Sequence, residues 1–184
     1  MNTVIKLHFA SMKITLLSFL TASALVFAGQ AAETSVKISK VHLCCKSCVT
    51  GVEKAVGKVE GATASVDKDE GTVSLMGPDA ATVQKAADAL VAAGYFGTTS
   101  DSKIKLSKDT GAKGKQVQSL QVNGVHLCCG KCVSTVDEAL KSVSGVKSHT
   151  AEKGKKSFEV AGDFNDKEVF TALQKSGLTG KVGE

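Results

Sequence analysis

The cysteines of this chain fall in two short segments of nearly identical sequence. All six lie in VHLCCKSCV, residues 41–49, and VHLCCGKCV, residues 125–133, so each segment holds two adjacent cysteines and a CxxC spacing. Thiols at these spacings suit three kinds of chemistry: soft-metal binding, dithiol redox exchange and disulfide cross-linking. The rest of the chain must discriminate among the three.

The two segments belong to an internal duplication with an offset of 84 positions. Four small or apolar residues of the first copy align without a gap with four of the second, namely Val52, Ala55, Val59 and Gly61 with Val136, Ala139, Val143 and Gly145. Between the copies lies a stretch rich in Lys, Gly, Ser and Asp. We therefore predict two domains, residues 33–100 and 119–184, joined by a flexible lysine-rich linker at residues 101–118.

Each copy shows the same order of structural signals. An alternating strand precedes the cysteines, and apolar residues at helical spacing follow them, so the CxxC begins a helix. A hairpin and a second helix come next; in the first copy Pro78 and Asp79 are typical of a helix start and Gly94 of a helix end. The order βαββαβ predicts an α+β chain with two ferredoxin-like domains in tandem after a signal peptide.

The position of each CxxC at a strand-to-helix junction favours metal binding. Helix N-terminal amides stabilise a thiolate, and Lys46 and Lys131 add positive charge near the two sites. Thiolates are soft ligands, so Cu(I) is the first ion expected, with Zn(II) and Hg(II) as alternatives.

The repeated strand, CxxC, helix, hairpin and helix resemble the heavy-metal-associated domain of copper chaperones, copper-pumping ATPases and periplasmic mercury-binding proteins. The cysteines that match the family's Gly-Met-x-Cys-x-x-Cys loop are Cys45, Cys48, Cys129 and Cys132. AAGY, residues 92–95, is similar to the family segment that passes near the metal loop. The resemblance implies one soft ion per domain and, as a partner, a metal-transporting protein. The long linker also permits the two domains to hold one ion jointly, and the sequence does not decide between these arrangements.

The loops depart from the family pattern at the methionine. In one register Leu43 and Leu127 take its place and histidines replace the glycine. In the other, which we prefer, Gly124-Val125 corresponds to Gly-Met and the loop has two extra residues.

Four further candidate ligands lie beside the CxxC pairs: Cys44, Cys128, His42 and His126. They raise the set to three cysteines and one histidine per copy, which is also a structural zinc set. Adjacent cysteines point in different directions along an extended chain, so one ion rarely takes both. We expect the CxxC cysteines to be the primary ligands and these four to be optional third ligands. Alternatively, the imidazoles are hydrogen-bonded to the loop.

The N-terminus has the features of a secretory signal. Lys13 precedes the apolar run ITLLSFLTASALVFA and the small residues GQAA, which predicts a signal peptide over residues 1–31 with cleavage after Ala28 or Ala31. The apolar run is short for a membrane span, although an uncleaved anchor is the alternative. We expect a periplasmic or secreted protein without a membrane segment after cleavage, where free thiols need protection from oxidation.

Composition excludes several function classes. The net charge is +5, and the chain has no arginine, no tryptophan and one tyrosine, which disfavours nucleic-acid binding. No acid–base pair, phosphate loop or triad pattern predicts an enzyme. Three cysteines per copy argue against a purely disulfide-stabilised structural protein, because each domain would leave one cysteine unpaired or link it to the neighbouring domain. A redox module that forms Cys45–Cys48 and Cys129–Cys132 disulfides is the other alternative to a protein that buffers or transfers metal.

Overall fold

The computed structural model describes residues 33–183, and the signal peptide predicted for residues 1–31 lies outside them. The described part contains two four-stranded antiparallel sheets and four helices. Within residues 33–183, no helix has the length and apolar character needed to cross a membrane.

The first half follows the predicted βαββαβ order. Its elements are β1 (Thr34–Ser39), α1 (Lys46–Val56), β2 (Thr63–Asp67), β3 (Thr72–Gly77), α2 (Ala80–Ala92) and β4 (Thr98–Thr99). The strand order β2-β3-β1-β4 is that of a ferredoxin-like sheet. The Asp79 carboxylate accepts a hydrogen bond from the N–H of Thr82 at 2.7 Å and so caps α2 where the sequence predicts its start. Residues 40–45, between β1 and α1, form the first cysteine loop.

The second half repeats this arrangement. Its elements are β5 (Gln116–Asn123), α3 (Gly130–Lys141), β6 (Val146–His149), β7 (Ser157–Asn165), α4 (Asp166–Lys175) and β8 (Lys181–Val182). The strand order is β6-β7-β5-β8. Residues 124–129, between β5 and α3, form the second cysteine loop. The predicted fold class, α+β with two ferredoxin-like halves, is confirmed.

The segment between the halves is packed, although the sequence predicts a flexible linker there. Ile104 and Leu106 are only 2% and 8% exposed and belong to a core that includes residues of both halves. Further along, the Asp166 carboxylate accepts hydrogen bonds from the N–H groups of Lys113 and Lys115, both at 2.9 Å. Two buried apolar residues and one buried carboxylate therefore hold a segment whose average composition is that of a free linker.

The two halves dock through the residues that follow their second helices. Tyr95, after α2, and Leu178, after α4, form an antiparallel bridge. The carbonyl of Gly177 accepts a hydrogen bond from the N–H of His42 in the first cysteine loop at 3.3 Å. Gly94 lies at the equivalent place against the backbone of the second cysteine loop. Each half thus places the end of its second helix on the cysteine loop of the other.

Candidate metal centre

Each cysteine loop delivers its sulfurs at the start of a helix. Cys45 is the N-cap of α1 and Cys129 the N-cap of α3, and neither side chain makes a capping hydrogen bond. Cys48 and Cys132 lie in the first turn and are fully buried. Neither first turn contains an acidic residue. The helix N-termini therefore present their partial positive charge to the thiols without competition from a carboxylate.

The sulfurs of the two cysteine loops and of the first turns of α1 and α3 meet in one cluster, formed by Cys44, Cys45, Cys48, Cys128, Cys129 and Cys132. The Sγ of Cys44 lies 3.2 Å from that of Cys129 and 3.6 Å from that of Cys132. The Sγ of Cys128 lies 3.4 Å from those of both Cys45 and Cys48. None of the six cysteines forms a disulfide. The prediction of separate sites, one per domain, does not describe this arrangement, because the docking of the halves brings the two loops face to face.

The sulfur spacing is that of ligands around a shared ion. A tetrahedral zinc site with Zn–S bonds of about 2.3 Å separates its sulfurs by about 3.8 Å, and the contacts in the cluster span 3.2–3.9 Å. Three cysteine triads have their sulfurs within 4.8 Å of one another: Cys44, Cys45 and Cys48; Cys45, Cys128 and Cys129; and Cys48, Cys128 and Cys132. Two of these triads combine both halves. The cysteine cluster fits a metal site.

The two predicted histidines lie next to the cluster in different environments. His42 groups with Cys44 and Cys132 within 4.8 Å, and its Nδ1 lies 3.5 Å from the Thr135 hydroxyl. The ring of His126 instead stacks on Tyr95, with centroids 4.6 Å apart and planes at 29°. The Nε2 atoms of both rings are buried and have no hydrogen-bond partner among residues 33–183. A buried imidazole nitrogen without a partner is unfavourable unless a ligand occupies it.

Tyr95 belongs to the AAGY segment that the family resemblance places near the metal loop, although the sequence assigns this side chain no contact of its own. It is fully buried, and its hydroxyl donates a 2.8 Å hydrogen bond to the carbonyl of Cys48. Burial raises the pKa of the Tyr95 phenol, and the neighbouring thiols raise it further, so the hydroxyl remains a donor. A Cβ at Gly51 of α1 would collide with this hydroxyl. A glycine inside a predicted helix can mark the close approach of another group, so Gly51 was the sequence signal for this contact with Tyr95.

The thiols differ in how readily they ionise. Burial raises the pKa of Cys44 to about 12, and burial likewise raises the pKa of Cys128. Burial also raises the pKa of Cys129, but hydrogen bonds from the Cys132 backbone and from Cys44 outweigh it, and the pKa falls to about 7. Hydrogen bonding to Cys132 lowers the pKa of Cys48, and the same contact raises the pKa of Cys132. The metal-free cluster therefore mixes thiols with thiolates, and full ionisation requires bound positive charge.

Both candidates for the family's methionine position are core residues. In the second cysteine loop Val125 and Leu127 are 1% and 2% exposed. Gly124 and its equivalent Lys40 share a left-handed backbone, with φ of 79° and 61°. The two loops therefore have the same turn, and each inserts two apolar residues beneath the cysteines.

No family model and no curated protein matches the chain. Among solved structures it is similar to the N-terminal soluble domains of Bacillus subtilis CopA, with 16% identity and a TM-score of 0.28 over 83% of this chain and 95% of that one. It is also similar to the first two RRM domains of the yeast poly(U)-binding protein Pub1, with 12% identity and a TM-score of 0.25 over 82% and 98%. At these TM-scores neither likeness carries an argument about function.

Proposed function

We propose that this protein binds soft metal ions, Cu(I) first and Zn(II) or Hg(II) as alternatives, and that it buffers them or passes them to a metal-transporting partner outside the cytoplasm. The observation that carries the proposal is the convergence of six free cysteine sulfurs, with contacts as short as 3.2 Å, at two helix N-termini. Convergent thiolates are a soft ligand set, which suits Cu(I) and other thiophilic ions.

The burial pattern supports transfer by ligand exchange. Cys48 and Cys132 are fully buried, whereas the four loop cysteines are only partly buried. An incoming thiolate of a partner protein would therefore meet a loop cysteine first. It would bind the ion before that cysteine leaves, so the ion is never released to water.

A Cu(I) titration of the reduced protein against a competing chelator tests the proposal. We expect the protein to withdraw Cu(I) from the chelator. A variant with the four CxxC cysteines, Cys45, Cys48, Cys129 and Cys132, replaced by serine should lose this uptake. Ser47→Ala is the matched control, because Ser47 is an exposed residue inside the first CxxC. Uptake that persists in the four-serine variant would contradict the site assignment.

Thiol–disulfide exchange is the second candidate function. It is favoured by the 3.2 Å contact between Cys44 and Cys129 and by the lowered pKa of Cys129, since a thiolate next to a second thiol is the reactive arrangement. Formation of that disulfide would pass two electrons and two protons to the disulfide of a partner, which becomes a dithiol. A reduction potential in the range of thiol oxidoreductases, together with no tight metal uptake, would favour this second function over the first.

A further inference from the structure

The six sulfurs of the cluster lie at the corners of a distorted octahedron. Besides the contacts of 3.2–3.9 Å, further pairs lie within 4.8 Å, namely Cys44–Cys45, Cys45–Cys129, Cys128–Cys129 and Cys48–Cys132. Together these neighbour relations are those of an octahedron. The remaining pairs are its opposite corners: Cys44 and Cys128, Cys45 and Cys132, and Cys48 and Cys129. Each opposite pair joins the two halves of the chain, so neither half can form the octahedron alone.

Four alternate faces of this octahedron each present three sulfurs to one point. Three of them are the cysteine triads described above. The fourth consists of Cys44, Cys129 and Cys132, whose mutual distances are 3.2, 3.6 and 3.9 Å. Every sulfur belongs to two of the four faces. Because a thiolate has lone pairs enough to bridge two ions, six thiolates can serve four three-coordinate sites in this geometry.

We propose that the protein holds one tetranuclear Cu(I)–thiolate cluster, with a Cu(I) ion in each alternate face and each cysteine sulfur bridging two ions. This inference rests on the proposed function and replaces one ion per domain by one shared cluster. Cu(I) does not require one fixed coordination geometry, so a site of three thiolates suits it. Thiolates are also soft ligands, which this soft ion prefers.

The charge balance accommodates four ions. Six thiolates and four Cu(I) ions give a cluster of net charge −2, the protons of the cysteines that were still thiols go to solvent, and neither copper nor sulfur changes oxidation state. A single Cu(I) would use only some of the six sulfurs and leave the others as thiols, because their ionisation requires bound positive charge, in a site that is partly buried against the hydrophobic core. The N-termini of α1 and α3 both face the cluster and favour the remaining anionic charge.

Native mass spectrometry of the reduced full chain during Cu(I) addition tests the stoichiometry. We expect the four-copper monomer to build up directly from the metal-free one, with little of the two-copper form in between. Luminescence of Cu(I)–thiolate shielded from water should reach its maximum at four ions per chain. A plateau at two ions bound independently would overturn the shared cluster and leave the proposed function intact. Absence of Cu(I) uptake would overturn both.

A double variant separates the shared cluster from two independent sites. Cys44→Ser with Cys128→Ser removes one pair of opposite corners and leaves both CxxC pairs intact. We expect loss of the four-copper form and of the luminescence, whereas independent CxxC sites predict two ions bound as before. Ser47→Ala again serves as the matched control.

X-ray absorption on the unmodified, fully loaded protein tests the same inference without any substitution. We expect copper with three sulfur neighbours and clear copper–copper scattering. Full loading without copper–copper scattering would overturn the proposal.

Discussion

The two cysteine loops carry the same residues from Val41 to Cys45 and from Val125 to Cys129, but the side chains that support them differ. Behind the first loop, Gly51 leaves space for Tyr95, whose hydroxyl holds the Cys48 carbonyl. At the equivalent positions of the second half stand Thr135 and Leu178, and leucine has no hydroxyl to offer. The small Gly51 with the large Tyr95, and Thr135 with Leu178, both of medium size, are two ways to fill the space behind a cysteine loop.

This difference fits the proposed copper cluster, in which each of the six sulfurs bridges two ions. A change in one loop would then affect sites that both halves share. The supporting residues have only to fill space and satisfy hydrogen bonds, and they have diverged. One consequence is that His126 is fixed by an aromatic ring, whereas His42 lies beside Thr135 and the cysteines.

The largest effect is expected where each half contacts the loop of the other. Gly177→Ala and Gly94→Ala should each lower the free energy of unfolding by about 3 kcal/mol, measured by urea denaturation. Both glycines have left-handed φ, 80° and 89°. A Cβ at Gly177 would lie 2.6 Å from the Lys40 carbonyl oxygen, and one at Gly94 would lie 2.5 Å from the Gly124 carbonyl oxygen. Backbone atoms cannot yield without displacing the loop.

Gly114→Ala is the control for this prediction. Gly114 also has a left-handed φ, of 73°, but a Cβ there meets nothing within 4 Å. It should lose only about 1 kcal/mol, the conformational penalty alone. Equal losses in all three variants would contradict the importance of the loop contacts, and unequal losses at Gly94 and Gly177 would show that the docking is asymmetric.

The next effect concerns Asp166, the first residue of α4. The two halves differ here, since α2 of the first half begins with Ala80 and has no carboxylate at this position. Burial raises the pKa of Asp166, but the N–H groups of Lys113 and Lys115 outweigh it, and the net pKa is lowered. A lowered carboxylate pKa contributes stability above the unfolded value of about 3.9, and this contribution is lost as pH falls through the folded pKa. Asp166→Asn should therefore lose about 2 kcal/mol at neutral pH and show a weaker acid dependence, measured by urea denaturation from pH 7 to pH 3.

The first half supplies the control. Asp79→Asn changes the exposed cap of α2, where asparagine caps as well as aspartate, so its stability at neutral pH should change little. If Asp166→Asn keeps the full acid dependence of the unsubstituted protein, Asp166 is not what holds the connecting segment.

The order of elements could be predicted from the sequence because its signals are local. Pro78 and Asp79 mark the start of α2 whatever lies around them, and the CxxC spacing is itself a helical turn. The meeting of the six sulfurs in one place could not be predicted in this way. It depends on how the halves dock, and that docking uses the backbone at Gly94 and Gly177, where no side chain provides a pattern.

Two other features escaped prediction for related reasons. The connecting segment is lysine-rich on average, and the average conceals the two apolar residues, Ile104 and Leu106, that pack in the core. The role of Tyr95 depends on its distance to the Cys48 carbonyl, 47 positions earlier in the chain. Sequence periodicity describes neighbours along an element, so it predicts neither contact.

A smaller effect is expected from the hydroxyl that only the first half has. Tyr95→Phe keeps the ring that stacks on His126 but removes the donor to the Cys48 carbonyl, and should lower the free energy of unfolding by about 1 kcal/mol. Leu178→Met, which preserves volume at the equivalent position, is the control and should change stability less. An unchanged unfolding midpoint for Tyr95→Phe would mean that the hydrogen bond contributes nothing to the difference between the loops.

A last effect, no larger than that of Tyr95→Phe, is expected at the position where the first loop is strained and the second is not. Lys40 is an exposed residue with φ of 61°, and its equivalent Gly124 adopts 79°. Lys40→Gly should raise the free energy of unfolding by about 1 kcal/mol, because glycine tolerates this backbone and lysine does not. Gly124→Ala, whose Cβ meets nothing within 4 Å, should lower it by a similar amount in the same urea measurement. Opposite changes of similar size would show that the loops have one backbone. Destabilisation by Lys40→Gly would show instead that the lysine side chain supports the first loop.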